Sequence, residues 1–200
     1  MNINKVLLVF FIVSLIIIAS CDNGEKTRGR SADQLSEEFI GGEEGLVLSF
    51  VEGAPTDTVT SGDSFEVEVL LVNDGEGDAS NVAVELEGIQ GEDIGLQQHV
   101  LKVDRSIAGR DVAAENIKDE ERVNFGDLSY KGQLVTNQDL KFQANVCYDY
   151  STRFQTVLCV LQDPRDKDKT TVCKVGEDVP QKSSGAPVQI TNIEERAISN

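Results

Sequence analysis

The chain has no tryptophan, one histidine and one methionine among its 200 residues, and aromatic side chains make up only 6% of it. Without tryptophan there is no Cys-Trp-Cys spacing, which excludes an antibody-type immunoglobulin domain. His99 stands alone, with no Gly-x-Ser-x-Gly elbow and no cysteine placed to match it. A Ser-His-Asp or Cys-His centre therefore has no basis, and His99 reads as a solvent-facing strand residue. No Cys-x-x-Cys pair occurs, so zinc geometry is missing. Gly75-x-Gly77 lacks the third glycine and the following helix of a dinucleotide loop. No Asn-x-Ser/Thr sequon is present, which excludes N-glycosylation at that motif. Basic residues are scarce: 18 Lys and Arg face 35 Asp and Glu, a formal net charge of −17. So acidic a surface repels phosphate backbones, and nucleic acid is not an expected partner. It equally disfavours a polybasic contact with a membrane surface. Nothing singles out two of the acids as a catalytic pair. No enzymatic activity, cofactor or metal is expected.

What is present begins at the N-terminus. Met1 to Lys5 carries one basic residue, Val6 to Ala19 is apolar apart from one serine, and Ile18-Ala19-Ser20-Cys21 closes the run. A basic start, an apolar core of about 14 residues and small residues before a cut site describe a secretory signal peptide. With Cys21 directly after Ala-Ser, the cut resembles the lipobox of exported lipoproteins, in which that cysteine's thiol carries lipid. The resemblance implies lipidation of Cys21 and attachment to the outer face of the cytoplasmic membrane. Each buried CH2 of such a lipid contributes about 0.8 kcal/mol, and two chains anchor stably where one is marginal. An uncleaved helical anchor is the alternative. The run is shorter than the roughly 20 residues that span a bilayer, although counting from Ile3 through Cys21 comes close.

Asp22 to Gly45 is polar and glycine-rich with no sustained period, and reads as a flexible tether. Alternation then sets in. Gly45 to Val51 opens the folded part as a strand, which Ala54-Pro55 breaks. In Phe65 to Val72, residues Phe65, Val67, Val69 and Leu71 share one face and Glu66 and Glu68 the other, the period of a half-buried strand. Val82, Val84 and Leu86 repeat the pattern in Asn81 to Gly88. The intervening Asn73-Asp74-Gly75-Glu76-Gly77 reads as a turn, predicting an antiparallel hairpin. Further strands are predicted over Leu96 to Val103 and Arg122 to Phe125. Leu140 to Tyr148 and Arg153 to Leu161 form a second predicted hairpin, and Gly185 to Ile193 a last strand. Val112 to Ile117 is the one short helical candidate.

Short strands, frequent turn signals and no long amphipathic helix predict an all-β fold, an immunoglobulin-like antiparallel β-sandwich. The expected organisation is a signal peptide over 1–20, the lipidated cysteine and linker over 21–44 and the sandwich over 45–175. A linker and terminal strand, able to begin a second domain, take 176–200. Leader and tether removed, roughly 155 residues remain, enough to bury a core.

Setting Cys21 aside leaves Cys147, Cys159 and Cys173, an odd number for an oxidising compartment. A Cys159–Cys173 bond would staple the charged loop between them, contributing about 3 kcal/mol for a loop of this size. Cys147–Cys159, across the predicted hairpin, is the rival pairing. The leftover thiol is expected to be buried and inert. Asp163 to Asp168 reads as a solvated loop, since interspersed basic residues and the missing EF-hand glycine and glutamate argue against calcium.

The blocks Gly45-Leu46-Val47-Leu48-Ser49-Phe50, Gly53-Ala54-Pro55 and Ser61-Gly62-Asp63 resemble a family of uncharacterised archaeal surface lipoproteins. Val146-Cys147-Tyr148-Asp149-Tyr150, Leu158-Cys159-Val160, Asp163-Pro164, Val172-Cys173 and Ser184-Gly185-Ala186-Pro187-Val188 carry the same resemblance. Those proteins have tandem immunoglobulin-like (CARDB-like) domains; the middle, Ile89 to Lys118, departs from their pattern. The resemblance implies fold and location, and no activity. The expectation is a non-catalytic, membrane-anchored module for envelope structure, adhesion or ligand binding. Its partners would be the membrane, through the lipid on Cys21, and a surface protein or glycan. The rival expectations are a subunit of a surface assembly and an accessory domain of an exported enzyme or transporter.

Overall fold

A computed structural model describes residues 35, 38–88, 91–111, 113, 117–161, 173 and 179–196. Within them the fold is all-β and antiparallel. Its elements are β1 (Leu46–Phe50), β2 (Ser64–Asn73), β3 (Ser80–Glu87), α1 (Gly91–Ile94), β4 (Val100–Lys102), β5 (Glu120–Ser129), β6 (Gln143–Asp149), β7 (Phe154–Thr156) and β8 (Gln181–Ser183). They make two three-stranded sheets, ordered β1-β2-β5 and β4-β3-β6, and a two-stranded ribbon of β7 and β8.

The alternation read from the sequence decides which faces are buried. In β2, Phe65, Val67, Val69 and Leu71 are buried; in β3, Val82, Val84 and Leu86 are. These side chains join Val123, Phe125 and Leu128 of β5 in one apolar cluster, with Ala144, Val146 and Tyr148 of β6 packed against it. One core thus draws on the apolar faces of both three-stranded sheets. The glutamates between the apolar positions face outward, as a half-wet antiparallel sheet requires.

β5 keeps its place across a break in its own alternation. Inward positions run Val123, Phe125 and then Leu128, a change of phase. The β2–β5 register shifts between Glu66 and Glu68, opposite this step, and Gly126 there has φ +87°. A glycine at positive φ is what such a bulge needs, and the Asn124 side chain accepts the Gly126 N–H at 2.6 Å. The strand therefore continues to Ser129, well past the predicted Phe125.

Three other expectations are corrected. The hairpin expected between Phe65–Val72 and Asn81–Gly88 does not form. β2 pairs with β1 and β5, whereas β3 pairs with β4 and β6. Two strands with one apolar face each satisfy the same pattern side by side or facing across a core. The connection between them chooses, and here it crosses from sheet to sheet. The second hairpin fails likewise: β6 pairs with β3, and β7 pairs with β8, Phe154 opposite Ser183. The last strand, finally, is Gln181–Ser183 rather than Gly185 to Ile193, which is irregular.

β4 and β1 lie within the predicted strands. Of the helical candidate over Val112 to Ile117, positions 112 and 114–116 lie outside the described residues. The short α1 was not anticipated. Leu71, a fully buried member of the cluster, gives the direct test of this core. Leu71→Ala is expected to cost about 2–5 kcal/mol in urea unfolding, since a cavity is left behind. Val47→Ala, on a 40% exposed side chain, is expected to cost under about 1 kcal/mol.

Candidate functional site

The two ends of the sheets differ in chemistry. At the end of β2 marked by Asn73, polar groups are buried in a knot that joins chain segments far apart in sequence. Glu76 is only 7% exposed, and its carboxylate is bonded by three backbone donors. It accepts the N–H of Ile40 and of Gly41, each at 2.9 Å, and the N–H of Gly185. The Glu76 N–H donates in turn to the Gly185 carbonyl at 2.9 Å. A buried carboxylate costs several kcal/mol unless compensated in this way, and hydrogen bonds to a charged acceptor are the stronger kind.

Asn73 and Tyr150 complete the knot. Asn73 is fully buried; its amide donates to the carbonyls of Gly77 and Ile107 and its oxygen accepts the Gly75 N–H. The Tyr150 hydroxyl accepts the Gly77 N–H at 2.9 Å and donates toward the Gly185 carbonyl at 3.3 Å. Burial holds the Tyr150 phenol above its ordinary range, with the Gly77 contact opposing it. Gly75 must be glycine here. A Cβ would fall 2.6 Å from the Glu44 carbonyl and 2.9 Å from that of Gly185, besides striking the Tyr150 hydroxyl.

Around the knot, flanking segments are fastened down. Phe39 is buried, with the Arg153 guanidinium 5.3 Å from its ring centroid. The Gly42 carbonyl accepts from Ala186 N–H and from the Gln189 amide. Arg110 lies 3.3 Å from Asp74 through its Nε, an ion pair without hydrogen-bond alignment. On the nearby β4–β5 connection, Arg105 contacts Asp119 and Glu121, each at 2.6 Å. Its hydrogen bond holds the Asp119 carboxyl below the usual carboxylate range, with burial opposing it.

The opposite end carries a groove of about 400 Å³. Two irregular loops enclose it: 51–63, between β1 and β2, and 130–142, between β5 and β6. Phe65, the first inward residue of β2, lies beneath, and its ring meets that of Phe142 edge-on at 5.9 Å. Half-buried Tyr130 and Phe142 supply aromatic surface, while Asp57, Asn137, Gln138 and Asp139 supply polar groups. The ten residues of β2 separate groove from knot by about 30 Å.

The residues singled out by sequence fall elsewhere. Cys21 lies outside the described residues, as does Asp163 to Asp168. Cys159 and Cys173 are bonded to each other, Cα atoms 5.8 Å apart, and the Cys159 N–H donates to the Glu195 carboxylate at 2.9 Å. Cys147 is free but exposed on β6, correcting the expectation of a buried thiol: it sits on the outward phase of the strand, between inward Val146 and Tyr148. His99 is exposed just before β4. Among the described residues no group of three or more His, Cys, Asp or Glu could hold a metal, and no helix is long and apolar enough to cross a membrane. Both the groove and Glu76 escaped sequence reading. The only available signal was the pair of glycines flanking Glu76, which marks a close backbone approach as readily as a turn.

Glu76→Gln keeps the shape but removes the charge that three donors share. Amide exchange at Ile40, Gly41 and Gly185 is expected to accelerate by tenfold or more, about 1.4 kcal/mol or upward. Val69 and Leu71 should stay protected. Equal acceleration at all of these sites would show that Glu76 holds the whole fold rather than the joined segments.

No family model matches the chain, and no curated protein or solved structure matches it.

Proposed function

We propose that this chain is a non-catalytic, lipid-anchored surface module whose two three-stranded sheets close into an immunoglobulin-like β-sandwich. In this reading Cys21 is the lipid attachment point and the folded part stands on the outer face of the cytoplasmic membrane; the tether is residues 22–37, shorter than the linker expected over 21–44, because Phe39 is buried and Ile40 and Gly41 are hydrogen-bonded to Glu76. The family of archaeal surface lipoproteins with CARDB-like domains, which the sequence resembles, is the proposed kinship.

The observation that carries the proposal is a polarity. Leu46, where the chain enters β1, pairs with Asn73 at the far end of β2, and Ile40 and Gly41 are fastened there by Glu76. The segment that follows Cys21 therefore joins the fold at the knot. The loops around the groove lie at the opposite end. An anchor attached at one end leaves the other free to meet what lies outside, and loops held on a rigid scaffold are where recognition residues usually sit. The acidic composition supports attachment through lipid rather than through basic surface contacts.

Intact-mass measurement on membrane-extracted protein tests the anchor. The wild-type chain is expected to begin at Cys21 and to carry a lipid-sized excess mass, and Cys21→Ser is expected to abolish the excess and release the protein from the membrane. An uncleaved chain of unmodified mass would refute the lipoprotein assignment.

A further inference from the structure

We infer that the groove between the 51–63 and 130–142 loops is a binding site for an uncharged saccharide. The display reading is used only to say where such a ligand would be met; the site itself stands on the chemistry of its walls.

Three features narrow the ligand. The first is charge. Asp57 and Asp139 line the groove and no Lys, Arg or His does, on a chain of net charge −17. Phosphates, sulfates and uronic acids are therefore repelled at short and long range. The second is the aromatic surface. Tyr130 and Phe142 are half-buried, and Phe142 is held by its edge-on contact with buried Phe65. Their accessible ring surface is apolar, suited to the C–H face of a sugar ring. The third is the set of polar groups around them. Asn137, Gln138 and Asp139 are exposed on the groove wall, where their side chains are accessible to a ligand. The two amides offer both donors and acceptors, and the carboxylate offers strong acceptors.

A purely aliphatic ligand would strip water from these amides and carboxylates without replacing its hydrogen bonds, a cost of about 1–3 kcal/mol for each group. A metal ion would find two carboxylates without a third ligand of its kind. A neutral saccharide meets both requirements at once, stacking on the aromatic faces and pairing its hydroxyls with the amides and Asp139. At about 400 Å³ the groove lies within the roughly 300–1,000 Å³ of small-molecule sites, the scale of a short saccharide.

The test uses the full chain, solubilised in detergent. The chain has no tryptophan and only three tyrosines, so a bound sugar on Tyr130 is visible in tyrosine fluorescence. The probes are glucose, galactose, mannose and N-acetylglucosamine with their disaccharides, glucuronic acid as the anionic control, and a neutral polysaccharide. At least one neutral sugar is expected to bind saturably at millimolar concentration or tighter, with glucuronic acid tenfold weaker or more. Tighter binding of the disaccharide or polymer would identify a glycan chain as the natural source; equal binding of the monosaccharide would identify a free sugar. Tyr130→Ala, which removes the reporter and is therefore read by titration calorimetry, is expected to weaken binding at least tenfold. Asn137→Ala and Asp139→Asn, at exposed loop positions, are expected to weaken it comparably without affecting folding, and with the tyrosine reporter intact. The inference falls if no neutral sugar saturates the site, if glucuronic acid binds as well, or if the loop variants bind like wild type. Because binding is read in detergent, a missing lipid on Cys21 would refute the anchor and leave this result standing.

Discussion

The carboxylate of Glu76 is the constraint that joins distant segments of the chain at one end of the fold. Its burial is tolerable only while three backbone N–H groups point at it, and they come from segments 35 and 109 residues away. Satisfying it brings residues 40–41 and 185 to the same end of β2. With Asn73 and Tyr150 tied into the same knot, the β2–β3 connection folds inward instead of making a tight turn. The chain then crosses from one sheet to the other. β3 then pairs with β4 and β6 in the other sheet.

A consequence is that polar and apolar work are divided between the ends of the molecule. The knot end gathers the segments that lead away from the fold, and its buried polar groups specify a single arrangement because an alternative would leave them unpaired. Among the described residues the groove end has no comparable network. Its loops rest on the apolar ends of β2 and β5 and present amides, carboxylates and aromatic faces outward. Distant chain segments are joined at one end; the groove lies about 30 Å away at the other.

How far this was legible in the sequence depends on the range of the interaction concerned. The inward faces of β2 and β3 were read correctly, because alternation at period two is a local property of Phe65 to Leu71 and Val82 to Leu86. Which strands pair was not, because Glu66 and Glu85 face water equally well in either pairing. β5 was cut short because the bulge at Gly126 reverses its phase. Glu76 was read as part of a turn, since nothing in Asn73-Asp74-Gly75-Glu76-Gly77 announces donors contributed by Ile40 and Gly185. The groove was illegible for the same reason: Phe65, Tyr130 and Phe142 are brought together by two sheets, and no spacing along the chain records it. Cys147, by contrast, could have been assigned to the outer face from the alternation of Val146 and Tyr148 alone.

The central claim is that the fold is held at the membrane by its knot end and presents its groove end outward. Energy transfer to an acceptor dye in the bilayer surface measures this directly. A donor would be attached at Glu43, exposed beside the knot, or at Val135, 97% exposed on a groove loop, in a Cys147→Ser background. Transfer is predicted to be clearly stronger from position 43 than from position 135, even with a tether that lets the domain tilt. Equal transfer from both positions, or stronger transfer from position 135, would contradict the account.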